Sequence, residues 1–170
     1  TTWTEHVTGS VLRNAVAAGI VMDTSEVVSG RCPEVYERDS FYAALVASGP
    51  QFGLAFQTVE SLSVGSDEAW ADVQIASGID TDNYRFHPTL LDAVLQTAAG
   101  ALGLLSPASN PDSVYVPVGI DRLHLVRSPG SALRVQALVR RDGKSSAGLK
   151  VELRVWDLHG NLVALVEGLT

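Results

Sequence analysis

The sequence predicts an α+β fold in which one long apolar helix lies against an antiparallel sheet. Three observations predict it. Segments that alternate apolar and polar residues crowd the chain after residue 58. A single long helical period stands among them, at Pro88–Leu105. In Leu149–Trp156, Leu149, Val151, Leu153 and Val155 face one way while Lys150, Glu152 and Arg154 face the other, as in a sheet with one buried and one wet face. The regular strand–helix alternation of a doubly wound fold is absent. With 170 residues the chain has the size of one domain. It carries 12 Lys and Arg against 19 Asp and Glu, a net charge of −7, with 18% charged and 46% hydrophobic residues. That much apolar surface excludes a disordered chain. The missing basic excess argues against a nucleic-acid partner. Cys32 is the one cysteine, so no internal disulfide forms and a reducing, cytoplasmic compartment is expected. Thr1–Gly9 lacks the basic and then apolar pattern of a signal peptide, and no membrane partner is expected.

Taken in order, Thr2–Leu12 reads as a strand with Trp3, Val7 and Val11 on one side, the tail of an upstream unit. Asn14–Arg38 reads as an irregular connector, punctuated by Gly19, Gly30 and Pro33. Asp39 or Ser40 caps a short helix over Phe41–Ser48, with Gly49 ending it. Thr58–Val64 and Glu68–Ile75 form a hairpin about Gly65-Ser66-Asp67, with Ala69, Ala71, Val73 and Ile75 inward. After the helix and a Ser106–Asp112 loop come strands at Val114–Val118, Ile120–Val126, Ala132–Arg141, Leu149–Leu158 and Asn161–Leu169. His159-Gly160 supplies a tight turn between the last two.

The helix carries the chemical information. Pro88 suits its first turn. At 100° per residue, Leu90, Val94, Leu95, Ala98, Leu102 and Leu105 fall on a wide apolar arc, and Asp92, Gln96, Ala99 and Gly103 form the opposite stripe. Asp92 is the one charged residue from Pro88 to Pro111. In a helix buried nearly all round, desolvation would raise its pKa and keep it protonated, fit for general-acid work. Gln96, one turn on, can hold the carboxyl. Small Ala99 and Gly103 leave room for a long thin ligand. The alternative is that Asp92 only complements the helix dipole and Gln96 only faces solvent.

His87-Pro88-Thr89-Leu90-Leu91-Asp92-Ala93-Val94-Leu95-Gln96 resembles the "HPxLLDAxxQ" signature of the dehydratase domains of modular polyketide synthases. Further motifs agree in order: Phe41-Tyr42…Leu45 with Phe52-Gly53-Leu54…Phe56-Gln57, Tyr115-Val116-Pro117-Val118 with Leu123, and Asp157…Gly160…Glu167-Gly168-Leu169. Trp3, His6 and Gly9 resemble the close of the family's preceding unit. The resemblance implies a hotdog fold, the second half of a double hotdog. Residues 1–13 would be the last strand of the N-terminal hotdog, 14–38 the linker and 39–170 the C-terminal hotdog. It implies removal of water from a β-hydroxyacyl thioester to give an α,β-enoyl thioester. The acyl group rides on the phosphopantetheine arm of an acyl carrier protein, with no further cofactor. Carried over, Asp92 is the acid and Gln96 its hydrogen-bonding neighbour, while Phe52, Leu54, Pro88, Ala99, Gly103 and Pro117 are substrate-binding positions. The implied partners are the N-terminal hotdog, the carrier protein, neighbouring synthase domains and a second copy in a homodimer.

Two departures qualify this. The family's base is a His in "HxxxGxxxxP", yet His6 is followed four residues later by Ser10, His87 by Leu91 and His124 by Ser128. The base must therefore come from elsewhere, and the chain alone is expected to be inactive. Phe52 and Leu54 replace the Tyr and Pro of the family's "YGPxFQ". Alternatives on the same fold are a non-catalytic acyl-binding or dimer-forming piece, or a double-bond isomerase or cyclase. The four histidines lie far apart, so no metal site is expected. His87 reads as a turn or cap residue, His159 as a turn residue and Cys32 as incidental. Arg140, Arg141 and Lys144 read as a solvated hairpin tip, where an acidic carrier protein could also dock.

Overall fold

The fold was obtained as a computed structural model, which describes residues 4, 7–11, 19–47, 49–106, 115–141 and 149–170. Chain order runs α1 (Ser25–Arg31), β1 (Glu34–Glu37), α2 (Arg38–Ala47), a 3-10 turn (Leu54–Phe56), β2 (Val59–Val64) and β3 (Glu68–Gln74). It continues with α3 (Pro88–Gln96), α4 (Ala98–Ala101), β4 (Arg122–Leu125), β5 (Ala132–Arg140), β6 (Lys150–Trp156) and β7 (Leu162–Leu169). The strands form one antiparallel sheet in the order β1-β2-β3-β5-β6-β7-β4. This is the α+β hotdog arrangement, a sheet around a central helix.

Register explains the core. Ala71 pairs with Val135, which pairs with Val155, and Ala137 pairs with Leu153, so these small and branched side chains share the inner face. All are buried there with Leu62, Leu133 and Val151, against Leu90, Ala93, Val94 and Ala101 of α3 and α4. Each wholly buried Leu or Val contributes about 2 kcal/mol. Small residues let the helix approach closely. A Cβ on Gly100 would stand 2.8 Å from Leu62 Cδ2 and 3.0 Å from Ala69 Cβ.

Several expectations need correction. Residues 25–37 are not irregular: α1 and β1 form there, and β1 pairs with β2 from Glu34↔Val64 to Glu37↔Ser61. The reason lies on the outer face of the sheet. Trp70 and Trp156 stack there with ring centroids 5.3 Å apart, and Cys32, Val28 and Met22 cover them. Arg31 ties α1 down, donating through Nε and Nη2 to Glu68 at 2.8 Å each. That face is therefore partly dry at Trp156, beside the half-buried Lys150, Glu152 and Arg154.

The first expected strand does not form where it is described, since Thr4 and residues 7–11 lie outside any strand; Trp3 and His6 fall outside the described residues. Residues 115–118 are likewise not a strand. They run as a strap joined to the chain end by Val118 N–H donating to Thr170 O at 2.7 Å. Helix α2 starts at Arg38, so Asp39 and Ser40 occupy its first turn instead of capping it, and Ser48 lies outside the described residues. The helical backbone continues through Thr97 (φ −58°, ψ −27°), where the hydrogen-bond ladder is irregular and the hydroxyl donates to Ala93 O at 3.0 Å, and α4 gives way to Gly103 at φ +70°. Beyond Pro88, no residue of α3 is exposed. Among the described residues no helix is long and apolar enough to cross a membrane.

Candidate functional site

The N-terminus of α3 is built locally. His87 is its N-cap: Nδ1 accepts from Thr89 N–H at 3.3 Å and lies 2.8 Å from Thr89 Oγ1, so this histidine is a structural residue. Pro88 occupies the first helical position and is exposed. One turn on, Asp92 faces a cavity of about 520 Å³, a size that suits a small-molecule site. Phe52, Gln96, Ala99 and Pro117 line the same cavity, whose remaining wall is largely apolar, with Leu95, Leu102 and Val151. Leu54, Pro88 and Gly103 are not on that wall; Leu54 is 83% exposed in the 3-10 turn.

Asp92 is half-buried, and burial pushes its carboxyl above the usual carboxylate range. A hydrogen bond from Gln96 offsets this only in part: Nε2 donates to Asp92 Oδ2 at 2.6 Å. The same nitrogen donates to Phe56 O at 3.1 Å. Gln96 Oε1 accepts from the Tyr42 hydroxyl at 2.9 Å, and the Tyr42 oxygen accepts from Val59 N–H at 3.0 Å. Tyr42 and Gln96 are both buried. Burial pushes the Tyr42 phenol up to about 12. Sequence reasoning missed Tyr42 as a site residue. Its signal was present, a tyrosine on the inner face of a short helix within the Phe41-Tyr42…Leu45 motif, but its partner lies 54 residues away.

A carboxyl whose pKa is raised by burial, standing beside an apolar cavity, has the chemistry of a proton donor. The other sequence candidates do not gather here. His159 sits in the β6–β7 turn, where Asp157 Oδ1 accepts from the backbone N–H of both His159 and Asn161 at 2.9 Å. His124 Nε2 lies 3.0 Å from Glu167 Oε2, at the β4–β7 pair. Burial pushes the Cys32 thiol up to about 11, so it stays a thiol and a poor nucleophile. Arg140 and Arg141 are ion-paired with Glu152 and Asp67, and Lys144 lies outside the described residues. Among the described residues no group of three His, Cys, Asp or Glu side chains is placed to hold a metal.

Residues 22–170 match a family model described as the polyketide synthase dehydratase N-terminal domain. Over 172 aligned residues the chain is 36% identical to erythronolide synthase EryA2 of Saccharopolyspora erythraea, covering 98% of the chain and 4% of that protein. Polyketide synthase GfsE of Streptomyces halstedii is 34% identical over 139 residues, with 80% and 3% covered. Among solved structures, the dehydratase domain from the CurJ module of curacin polyketide synthase superposes with a TM-score of 0.74 at 27% identity. The match covers 89% of this chain and 54% of that one. The CurK dehydratase gives 0.73 at 28%, with 92% and 53% covered. The chain thus spans about half the length of these solved domains and a few per cent of the synthases.

Proposed function

The chain belongs to the polyketide synthase dehydratase family, and from that premise we propose that it is the C-terminal half of a dehydratase active site, with Asp92 as the general acid. The substrate is a β-hydroxyacyl thioester carried on the phosphopantetheine arm of an acyl carrier protein. A histidine of the N-terminal half takes the α-proton, and its electron pair forms the Cα–Cβ double bond. Asp92 gives its proton to the departing β-hydroxyl, so the C–O bond breaks and water leaves. Proton return from the imidazolium to the Asp92 carboxylate resets the pair.

The observation that carries this reading is Asp92 itself, a carboxyl raised by burial and held by Gln96 at the wall of an apolar cavity. Two solved variants of the CurK dehydratase, each described as inactive, lend support: one replaces an aspartate by asparagine, the other a histidine by phenylalanine. The matched family is described by the N-terminal domain, whereas placement in the C-terminal half rests on residues. The acid motif stands at His87–Gln96, and none of the four histidines has the "HxxxGxxxxP" setting of the base. Such a half is inactive alone.

A face is available for the partner. Among the described residues strand β4 is an edge of the sheet, and around it Val118 is 80% exposed and Leu123 43%. An apolar edge of this kind pairs readily with another strand. The strap beside it, at Tyr115–Pro117, lines the cavity, so a half docked there would stand next to Asp92. The same reading places the chain in the cytoplasm, beside the carrier protein and the other synthase domains, in a homodimeric assembly. The test joins this chain to its N-terminal half and follows dehydration of a β-hydroxyacyl pantetheine thioester. Asp92→Asn is expected to lower turnover by about 10²–10⁴-fold; undiminished turnover would overturn the assignment.

A further inference from the structure

We infer that Tyr42 is a positioning residue for Asp92, fixing through Gln96 which end of that amide faces the carboxyl. A glutamine amide has two ends of similar shape and opposite hydrogen-bonding sense. Facing Asp92 with its NH₂ group, Gln96 holds the carboxylate; facing it with its oxygen, it repels the ionised form.

The surroundings of Gln96 admit one sense only. Phe56 O and Asp92 Oδ2 are both acceptors, at 3.1 and 2.6 Å from Nε2. Tyr42 is the donor on the other side, at 2.9 Å from Oε1. Its own sense is set from behind, because Val59 N–H donates into the phenol oxygen at 3.0 Å and leaves the hydroxyl proton to point forward. Phe56 O, at 3.2 Å, is a second and longer acceptor for that proton. Tyr42 is 5% and Gln96 7% exposed, so bulk water does not replace either bond. A run of aligned bonds, Val59 N–H to Tyr42 to Gln96 to Asp92, polarises each member in the same direction.

Helix geometry explains how the residues meet. Tyr42 stands on the buried side of α2, with Phe41 and Phe52 rings 4.9 and 6.1 Å from its own, which fixes the ring. The charged groups that act on Tyr42 are Arg38 and Asp92. Removing the hydroxyl would leave the buried Oε1 without its donor and Phe56 O alone to hold the amide, so the hydrogen bond to the carboxylate would weaken. The catalytic consequence rests on the reading of Asp92 as the acid; the relay itself does not.

The test is a carboxyl ¹³C NMR titration of Asp92 in the 170-residue chain, arranged as a double-mutant cycle. Tyr42→Phe is expected to shift the Asp92 midpoint upward. In a Gln96→Leu background the same substitution is expected to leave it where Gln96→Leu alone puts it. Site-specific 3-fluorotyrosine at position 42 keeps the shape and strengthens the donor, so it is expected to shift the midpoint downward, and it carries the test if Tyr42→Phe does not fold. An equal shift in both backgrounds, no shift on Tyr42→Phe, or an upward or absent shift with fluorotyrosine would overturn the relay. Failure of the dehydratase reading shows separately, as turnover retained by Asp92→Asn.

Discussion

Asp92 is costly to the fold for the same reason that it suits an acid. Burial holds its carboxyl above the ordinary value, so in the window between the two the folded chain binds more protons than the unfolded one. Stability therefore falls as pH rises through that window. Asp92→Asn removes this cost and keeps an acceptor oxygen for Gln96. Its melting temperature at pH 7 is expected to equal or exceed that of the parent chain, with the difference vanishing near about pH 3 where both forms are uncharged. Glu68 behaves in the opposite sense. Burial pushes it up, but hydrogen bonds from Arg31, Gln136 and Trp70 outweigh burial and hold it down at about 2. Its contribution is present above the ordinary carboxylate range and lost as pH falls toward 2. Urea unfolding of Glu68→Gln should show a loss of roughly 2 kcal/mol at pH 7, shrinking in acid. Asp92 and Gln96 were legible in the sequence because a lone acid in an apolar helix, followed by an amide one turn on, is a local pattern. Tyr42 and Glu68 were not, because their partners come from remote segments.

At the scale of elements, the strands were read almost to the residue where alternation decides them, as at Glu68–Gln74 and Lys150–Trp156. What escaped was set by tertiary contact. Helix α1 has no buried residue and no periodic signal; it is held by Arg31 on Glu68 and by Val28 packed over the tryptophans. The apolar period at Pro88–Leu105 is continuous and the backbone stays helical through Thr97, where the side-chain hydroxyl shares Ala93 O with the backbone N–H and the ladder is irregular. Beyond Thr97, α4 must come within touching distance of the sheet, and Gly100 permits it. Gly100→Ala pushes a methyl onto Ala69 Cβ, which cannot swing aside. Chemical denaturation should show a loss of about 1–3 kcal/mol, in spite of alanine's better helix propensity.

On the scale of the whole molecule, the low charge of the sequence has two physical sources. One is a helix with no exposed residue beyond Pro88. The other is a set of exposed apolar residues from Tyr115 to Val126 along the β4 edge, broken by Asp121 and Arg122 and unexplained by the chain's own core. If that edge receives the N-terminal half, Leu123→Lys, which leaves the cavity wall untouched, should weaken association of separately expressed halves at least about tenfold in sedimentation experiments. The central claim is tested most directly by reconstituting the complete domain and measuring dehydration of a β-hydroxyacyl pantetheine thioester with Asp92 and with Asp92→Asn. The account predicts that the folded variant binds its partner half normally and loses turnover by about 10²–10⁴-fold. Turnover equal to that of the parent, in a folded and assembled variant, would contradict it.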